Sequence, residues 1–279
     1  MKLLVTGAAG MLGRRVVADA RAAGHDVVGI DIAEADLTDA HSALTAVRDV
    51  GPDAIVHCAA YTNVDGAESD EDTALAINAD ASANVGAAAS AVGARVVAVS
   101  TDYVFDGTLS GRPYVESDPV APLGAYGRTK LAGEQALAAA CADHAIARTA
   151  WLFGWPGKSF PDTMLRLAAE RDRVAVVTDQ VGSPTWTGHL SPALIELCAS
   201  PLRGPVHTAG GGQCSWHELT VELYRQAGVD CTVDETTSAQ FVRPAPRPAW
   251  SVLASERDGA PRLPDWREGV AGYLAERNA

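Results

Sequence analysis

Blocks of apolar residues separated by polar ones recur through the first half of the chain, and their lengths predict alternating strands and helices. Lys2 to Thr6 is a short run rich in branched apolar side chains, which predicts a buried strand, and a helical stretch from Arg14 to Ala23 follows it. His25 to Ile30 reads as a second strand ending in Asp31, Asp53 to Cys58 as a third, Asp72 to Val92 as a helix and Val96 to Val99 as a fourth strand. The alternation lasts to about residue 150 and implies βαβ units: an α/β, doubly wound parallel sheet with helices on both faces. Beyond Trp151 the pattern loosens. Lys158 to Arg171 is helical and Arg173 to Thr178 returns as a strand, after which Gly204-Pro205, Gly210 to Gly212 and the group Pro244, Pro246, Pro248 break the pattern. The expected organisation is a sheet domain over 1–150, with about 172–210 returning to it, and a smaller C-terminal lobe from 151–171 and 211–279.

The connection between the first strand and helix is Gly7-Ala-Ala-Gly10-Met11-Leu12-Gly13. Gly7 permits the tight turn out of the strand, Gly10 a close approach of backbone to a pyrophosphate, and Gly13 close packing of helix on strand, while the helix N-terminus offers free N–H groups to phosphates. Asp31 stands at the distance where an acidic side chain takes the ribose hydroxyls, so the first domain is expected to be a Rossmann-type dinucleotide site. Tyr126 and Lys130, four residues apart in a helical stretch, share one face. A nearby ammonium favours the phenolate and brings tyrosine closer to the working range of a general acid.

The spacing G-x-x-G-x-x-G resembles the short-chain dehydrogenase/reductase superfamily. That resemblance places Asp36 and Leu37 beside the adenine ring, and the loop Cys58-Ala59-Ala60-Tyr61 over the dinucleotide. It makes Thr101 the partner of Tyr126 and Lys130 in a catalytic triad. Ser100 is the neighbouring hydroxyl, and since successive strand residues face opposite sides, only one of the two is expected to reach the site. Ordered landmarks from Ala60 to Glu68, Ser100 to Gly107, Tyr126 to Glu134, Arg148 to Phe153, Gly157 to Phe160, Val176 to Thr185, Cys214 to Trp216 and Arg247 to Leu253 are similar to the dTDP-4-dehydrorhamnose reductase family, nearly end to end. By that resemblance Val64, Asp65, Thr101, Asp102, Tyr103, Trp151 and Arg247 surround a nucleotide-sugar whose C4 ketone is reduced with NADH or NADPH. Arg15 occupies a position where some relatives carry an acidic residue joined to a metal-bridged dimer, and Trp250 and Ala254 also depart from the family pattern. No metal is therefore expected, and the chain is expected to be a monomer or a homodimer.

Other readings of the same residues stay open. The resemblance favours reduction of dTDP-4-dehydro-L-rhamnose to dTDP-L-rhamnose; a 4-ketoreductase for another deoxysugar and a nucleotide-sugar epimerase are the alternatives within enzymes, while a dehydratase of this group would carry an Asp-Glu pair where Asp102-Tyr103 stands, which disfavours dehydration. A non-catalytic dinucleotide-binding subunit, like the regulatory subunit of methionine adenosyltransferase, is the reading from a different class. His57 reads as a packed strand-end residue. Asn78 reads either as a poor helix former or as the asparagine that the superfamily uses to kink this helix and hold a water near the lysine.

Composition narrows the classes further. At 279 residues with 47% hydrophobic content the chain can bury a large core, and a formal charge of -13 argues against a nucleic-acid surface. The five cysteines, Cys58, Cys141, Cys198, Cys214 and Cys231, lack C-x-x-C spacing and read as reduced thiols rather than a disulfide frame or zinc site. No membrane segment or signal peptide is recognisable, so a cytoplasmic chain is expected.

Overall fold

The structure, a computed structural model, describes residues 1–279. Five parallel strands, β1 (Lys2–Thr6), β2 (Asp26–Ile30), β3 (Ala54–His57), β4 (Arg95–Thr101) and β5 (His144–Thr149), form one sheet with a sixth strand, Gly204–His207. From one edge the order is Gly204–His207, β5, β4, β3, β1, β2. Each strand is buried on both faces, so its successive side chains feed two cores. Leu4, Ile55 and Val96 face one side with Val47, Val85 and Leu137, while Leu3, Val5, Val56 and Val97 face the other with Val16, Leu190 and Leu194. Helices α1 (Met11–Ala22), α2 (Ala40–Val50), α5 (Ala81–Val92) and α6 (Ala125–Ala140), together with the later helix Thr187–Ala199, supply those partners.

The chain order reverses between β1 and β3, where crevices at the strand ends receive ligands in such sheets. The short helices α3 (Val64–Ala67) and α4 (Glu71–Leu75) lie beyond β3. The stretch read as one helix from Asp72 to Val92 is in fact interrupted by a π-helical segment, Ala76–Asp80. Asn78 sits in its middle and turns its amide out to the backbone of Tyr61, accepting from Tyr61 N at 2.9 Å and donating to Tyr61 O. Opposite it, Gly133 of α6 lies so close that a Cβ would stand 2.1 Å from Asn78 O.

The C-terminal lobe has its own core, built from Phe153, Met164, Leu165, Val174, Val176, Leu219, Leu223, Tyr224, Trp266 and Tyr273. One expected boundary moves. Arg173–Val177 does not return to the large sheet; it pairs in parallel with Thr232–Thr236, and that two-stranded sheet packs against the lobe's helices. Of the stretch 172–210, only the helix Thr187–Ala199 and the strand Gly204–His207 rejoin the sheet domain. A lone strand needs a partner for its backbone groups, and Thr232–Thr236 supplies it. No helix is long and apolar enough to cross a membrane.

Candidate active site

The phosphate loop folds as its glycines require. Gly7 adopts a left-handed φ of 65°, and a Cβ on Gly13 would lie 2.1 Å from Gly7 O, so only glycine allows α1 to start this close to β1. The N-terminus of α1 carries no side-chain cap and no acidic residue in its first turn. Its N–H groups are therefore free for an anion, and a pyrophosphate fits there on charge and space alike. Met11 and Leu12 open this helix, Met11 against Gly157 of the second lobe and Leu12 in the core. Asp31, at the end of β2, accepts from Ala9 N at 2.8 Å and from Ile32 N at 2.9 Å, which latches the loop to the strand end. Ala59 and Ala60 follow β3 beside Gly7, and Tyr61 is held by Asn78.

Asp36 is exposed, with its carboxyl held below the usual range by hydrogen bonds from Thr38. Leu37 departs from expectation: its side chain is buried in the sheet core with Ile30 and Val47, leaving only its backbone to face an adenine. The apolar side chain gains more from that core than from the rim of a cleft.

Tyr126, the second residue of α6, and Lys130, one turn later, face the C-terminal end of β4. The helix start is pinned by Glu68, whose Oε1 accepts from Ala125 N at 2.7 Å, and by the Arg128–Glu71 ion pair at 2.7 Å. Lys130 Nζ donates to Val99 O at 2.9 Å. Thr101 lies beside the Tyr126 phenol and donates to Asp102 Oδ1 at 3.0 Å, whereas Ser100 points away and donates to Glu134 Oε1 at 2.5 Å. The alternation of strand side chains thus puts the two hydroxyls on opposite sides, with Thr101 on the side of Tyr126. Asn78 reaches the same helix through Thr129 Oγ1 at 3.0 Å, and His57 is buried between Thr6 and Ser82.

The electrostatics differ from the expected arrangement. Burial pushes Tyr126 up to about 12, against the pull of the Thr101 hydroxyl, and draws Lys130 down to about 8. Desolvation, with the nearby Asp102 carboxyl acting the same way, therefore holds the phenol protonated. That form is the one a proton donor needs. Asp102 is buried with Oδ2 unpartnered, and burial raises it to about 6. Tyr103 is raised as well, mainly by burial, and its ring meets that of Tyr126 edge to face at 5.5 Å.

A cavity of about 650 Å³ in the C-terminal lobe, walled largely by Thr163, Met164, Leu167 and Arg173–Val177, meets this group at Tyr103 and is bordered also by Gln180, Trp216, Arg243 and Arg247. Arg247 lines it, but its guanidinium is already paired with Asp65 at 2.9 Å, tying α3 to the proline-rich loop. Val64 starts α3 one residue earlier. Trp151 is absent from this cavity. It lines a smaller one of about 340 Å³ with Lys158, Phe160 and Trp216, and its indole is stacked 3.5 Å from that of Trp216, which borders both cavities. Trp151 also holds a left-handed φ of 47°, which is strained for a non-glycine residue. Trp216, Gln180 and Arg243 border the site without having been expected there; the first two fall in recognised landmarks, while Arg243 carries no signal in its local sequence.

The departures from the family pattern have local explanations. Arg15 pairs with Asp19 at 2.8 Å and Glu276 at 3.2 Å and lies over Trp186, clamping α1 to the C-terminal helix Trp266–Arg277. Trp250 donates its indole N–H to Arg112 O at 2.9 Å, outside both cavities. No group of three or more His, Cys, Asp or Glu side chains is placed to hold a metal ion. All five cysteines are free.

Residues 1–278 match the model of the RmlD substrate binding domain. A dTDP-4-dehydrorhamnose reductase of Mycobacterium tuberculosis is 44% identical over 283 aligned residues, covering 98% of this chain and 92% of that protein. A probable dTDP-4,6-dihydroxy-2-methyloxan-3-one 4-ketoreductase of Streptomyces antibioticus is 41% identical, over 97% of this chain and 93% of its own length. The crystal structure of a dTDP-4-dehydrorhamnose reductase from Bacillus anthracis in complex with NADP superposes with a TM-score of 0.95 at 35% identity, covering 99% of each chain.

Proposed function

The chain belongs to the RmlD substrate-binding-domain family, and from that premise we propose that it reduces the C4 ketone of a nucleoside-diphosphate 4-keto-6-deoxyhexose, taken as dTDP-4-dehydro-L-rhamnose, to dTDP-L-rhamnose. The observation that carries the reading is the meeting of Tyr126, Lys130 and Thr101 at the end of β4, at the same end of the parallel sheet as the phosphate loop after β1, with Tyr103 next to them reaching a 650 Å³ cavity bordered by arginines.

NADH or NADPH, when bound, supplies the hydride. The uncapped start of α1 holds the pyrophosphate, Asp31 the adenosine ribose, and the loop Ala59 to Tyr61 covers the nucleotide. Tyr126 gives its proton to the oxygen that develops negative charge at C4, and Thr101 donates a hydrogen bond toward the same oxygen. Lys130 contributes a positive charge beneath the phenol and a donor to the nicotinamide ribose. Arg247 and Arg243 meet the diphosphate, with Asp65 fixing Arg247 until the anion arrives. Val64, Asp102, Tyr103 and the Trp151–Trp216 stack border the sugar and nucleoside.

The 41% identity to the Streptomyces antibioticus ketoreductase favours a second reading, a different keto-deoxy sugar on the same machinery. Oxidation of NADPH and NADH, followed across a panel of 4-keto nucleotide sugars, tests both. Turnover with the rhamnose precursor well above the others supports the first reading; turnover with none refutes the reductase. We place the enzyme in the cytoplasm, as a monomer or homodimer.

A further inference from the structure

Between the strands Thr232–Thr236 and Trp250–Ser251 the chain lends Phe241, Arg243 and Arg247 to the border of the 650 Å³ cavity, and the two ends of this connection are held while its middle is not. At the first end, the turn Ser238–Gln240 is fixed by Asp179, which accepts from Ser238 N and Ser238 Oγ at 2.9 Å, and by Thr236 Oγ1, which donates to Gln240 Oε1 at 2.9 Å. At the second, Asp65 of α3 accepts from Ala245 N at 3.2 Å and pairs with Arg247 at 2.9 Å. Pro248 packs so closely on Gly107 that a Cβ there would lie 2.5 Å from its own. The four residues between, Phe241, Val242, Arg243 and Pro244, are all exposed. Phe241 N donates to Ser238 O at 3.1 Å, but Val242 and Arg243 donate no backbone hydrogen bond within the protein, and proline has none to give. A segment with so few bonds and buried contacts opens locally at low cost.

Two of the four are apolar. Phe241 borders the cavity while 47% exposed, and Val242 beside it is 87% exposed. A single exposed apolar residue is ordinary, but a pair at the rim of a cavity walled by Leu167, Val174 and Val176 marks a surface that a ligand covers. The next residue says which ligand. Arg243 reaches Asp65 only at 3.9 Å, a contact that carries little energy at such exposure, because Arg247 already holds the other oxygen of Asp65. In a chain of formal charge -13, Arg171, Arg173, Arg243 and Arg247 all border this cavity, so it attracts an anion.

We propose that residues 241–244 form a strap that closes over the nucleoside diphosphate half of the ligand: a phosphate draws Arg243 from Asp65 into the cavity, and Phe241 and Val242 move with it onto the nucleoside. The inference rests on the nucleotide-sugar reading of the cavity and adds to it a moving part and a binding residue, Phe241. The anchors at 238–240 and 245–248 stay in place and confine the movement to the four residues between them.

Chymotrypsin, which cuts after exposed phenylalanine in readily opened segments, reads the strap in the unaltered protein. The bond between Phe241 and Val242, identified by the mass of the fragments, should be cut readily in the free protein. Saturating dTDP should slow that cut by about tenfold or more, while thymidine or NADPH alone leaves it within about twofold. The proposal is overturned by no cut in the free protein, by equal cutting with and without dTDP, by failure of dTDP to bind, or by equal protection from thymidine or NADPH. The double variant Phe241→Ser with Val242→Ser changes only exposed positions, so its fold is kept. It should bind dTDP about tenfold more weakly in calorimetry, with NADPH affinity within about twofold, and undiminished dTDP affinity overturns the proposal too. Neither measurement needs turnover, so absence of ketone reduction would reject the reductase reading while dTDP still decided the strap.

Discussion

At Asp102 the demands of folding and of the site oppose one another. The carboxyl is buried, accepts the Thr101 hydroxyl through Oδ1, and leaves Oδ2 without a partner. Burial raises it from 3.8 to about 6 even though the hydrogen bond from Thr101 pulls the other way. A difference of about two pH units between unfolded and folded states corresponds to about 3 kcal/mol lost on ionising this group in the folded chain. Between those two values the folded state binds the proton more tightly than the unfolded chain, so this contribution to stability falls as pH rises from 3.8 to about 6 and stays lost above it. Asp102→Asn removes the charge and keeps the acceptor for Thr101, but places an unpartnered amide N–H₂ where Oδ2 stood, at a cost of about 1 kcal/mol. The variant should therefore be more stable by about 2 kcal/mol near pH 7.5, and no more stable than the parent near pH 4. Urea unfolding followed by tryptophan fluorescence at both pH values measures the difference directly. Turnover should fall in the same variant, since the proposed function puts Asp102 beside the sugar and stability gained at such positions commonly costs activity. An equal stability difference at the two pH values would show that ionised Asp102 costs the fold nothing and would refute the reasoning, as would destabilisation near pH 7.5.

Tyr126→Phe should lower kcat by a factor of about 10² to 10⁴ with little change in NADPH affinity, and near-normal turnover would remove the phenol from its role as acid. Asp31→Ala frees Ala9 N as well as the ribose, so the ratio of kcat/KM with NADPH to that with NADH should rise; an unchanged ratio in steady-state assays means that the carboxylate only braces the loop. Arg247→Ala should raise KM for the nucleotide-sugar by about tenfold or more while leaving cofactor affinity in place, and unaltered constants would mean that the Asp65 pair is structural only.

Much of this arrangement is legible in short stretches of the chain. The glycine loop, Asp31 at the end of β2, and the rule that only one of Ser100 and Thr101 can face the site follow from patterns only a few residues long. Turn geometry, helix periodicity and strand alternation are set by neighbours along the chain. The same holds for the two cores, since β1, β3 and β4 announce themselves as runs of branched apolar residues.

Other features depend on which distant segments meet. Arg173–Val177 is recognisable as a strand, but its pairing with Thr232–Thr236, rather than with the large sheet, is not. Leu37 goes to the core because it finds a better apolar partner there than the cleft offers, and Trp151 stacks on Trp216, sixty-five residues away in the chain and itself a wall of the cavity. The sequence determined that a tyrosine and a lysine would share a helix face beside a dinucleotide loop. Only the tertiary structure decided their ionisation, because the loss of water around Tyr126 and Lys130 exists only once α6 has closed over the ends of β3, β4 and β5.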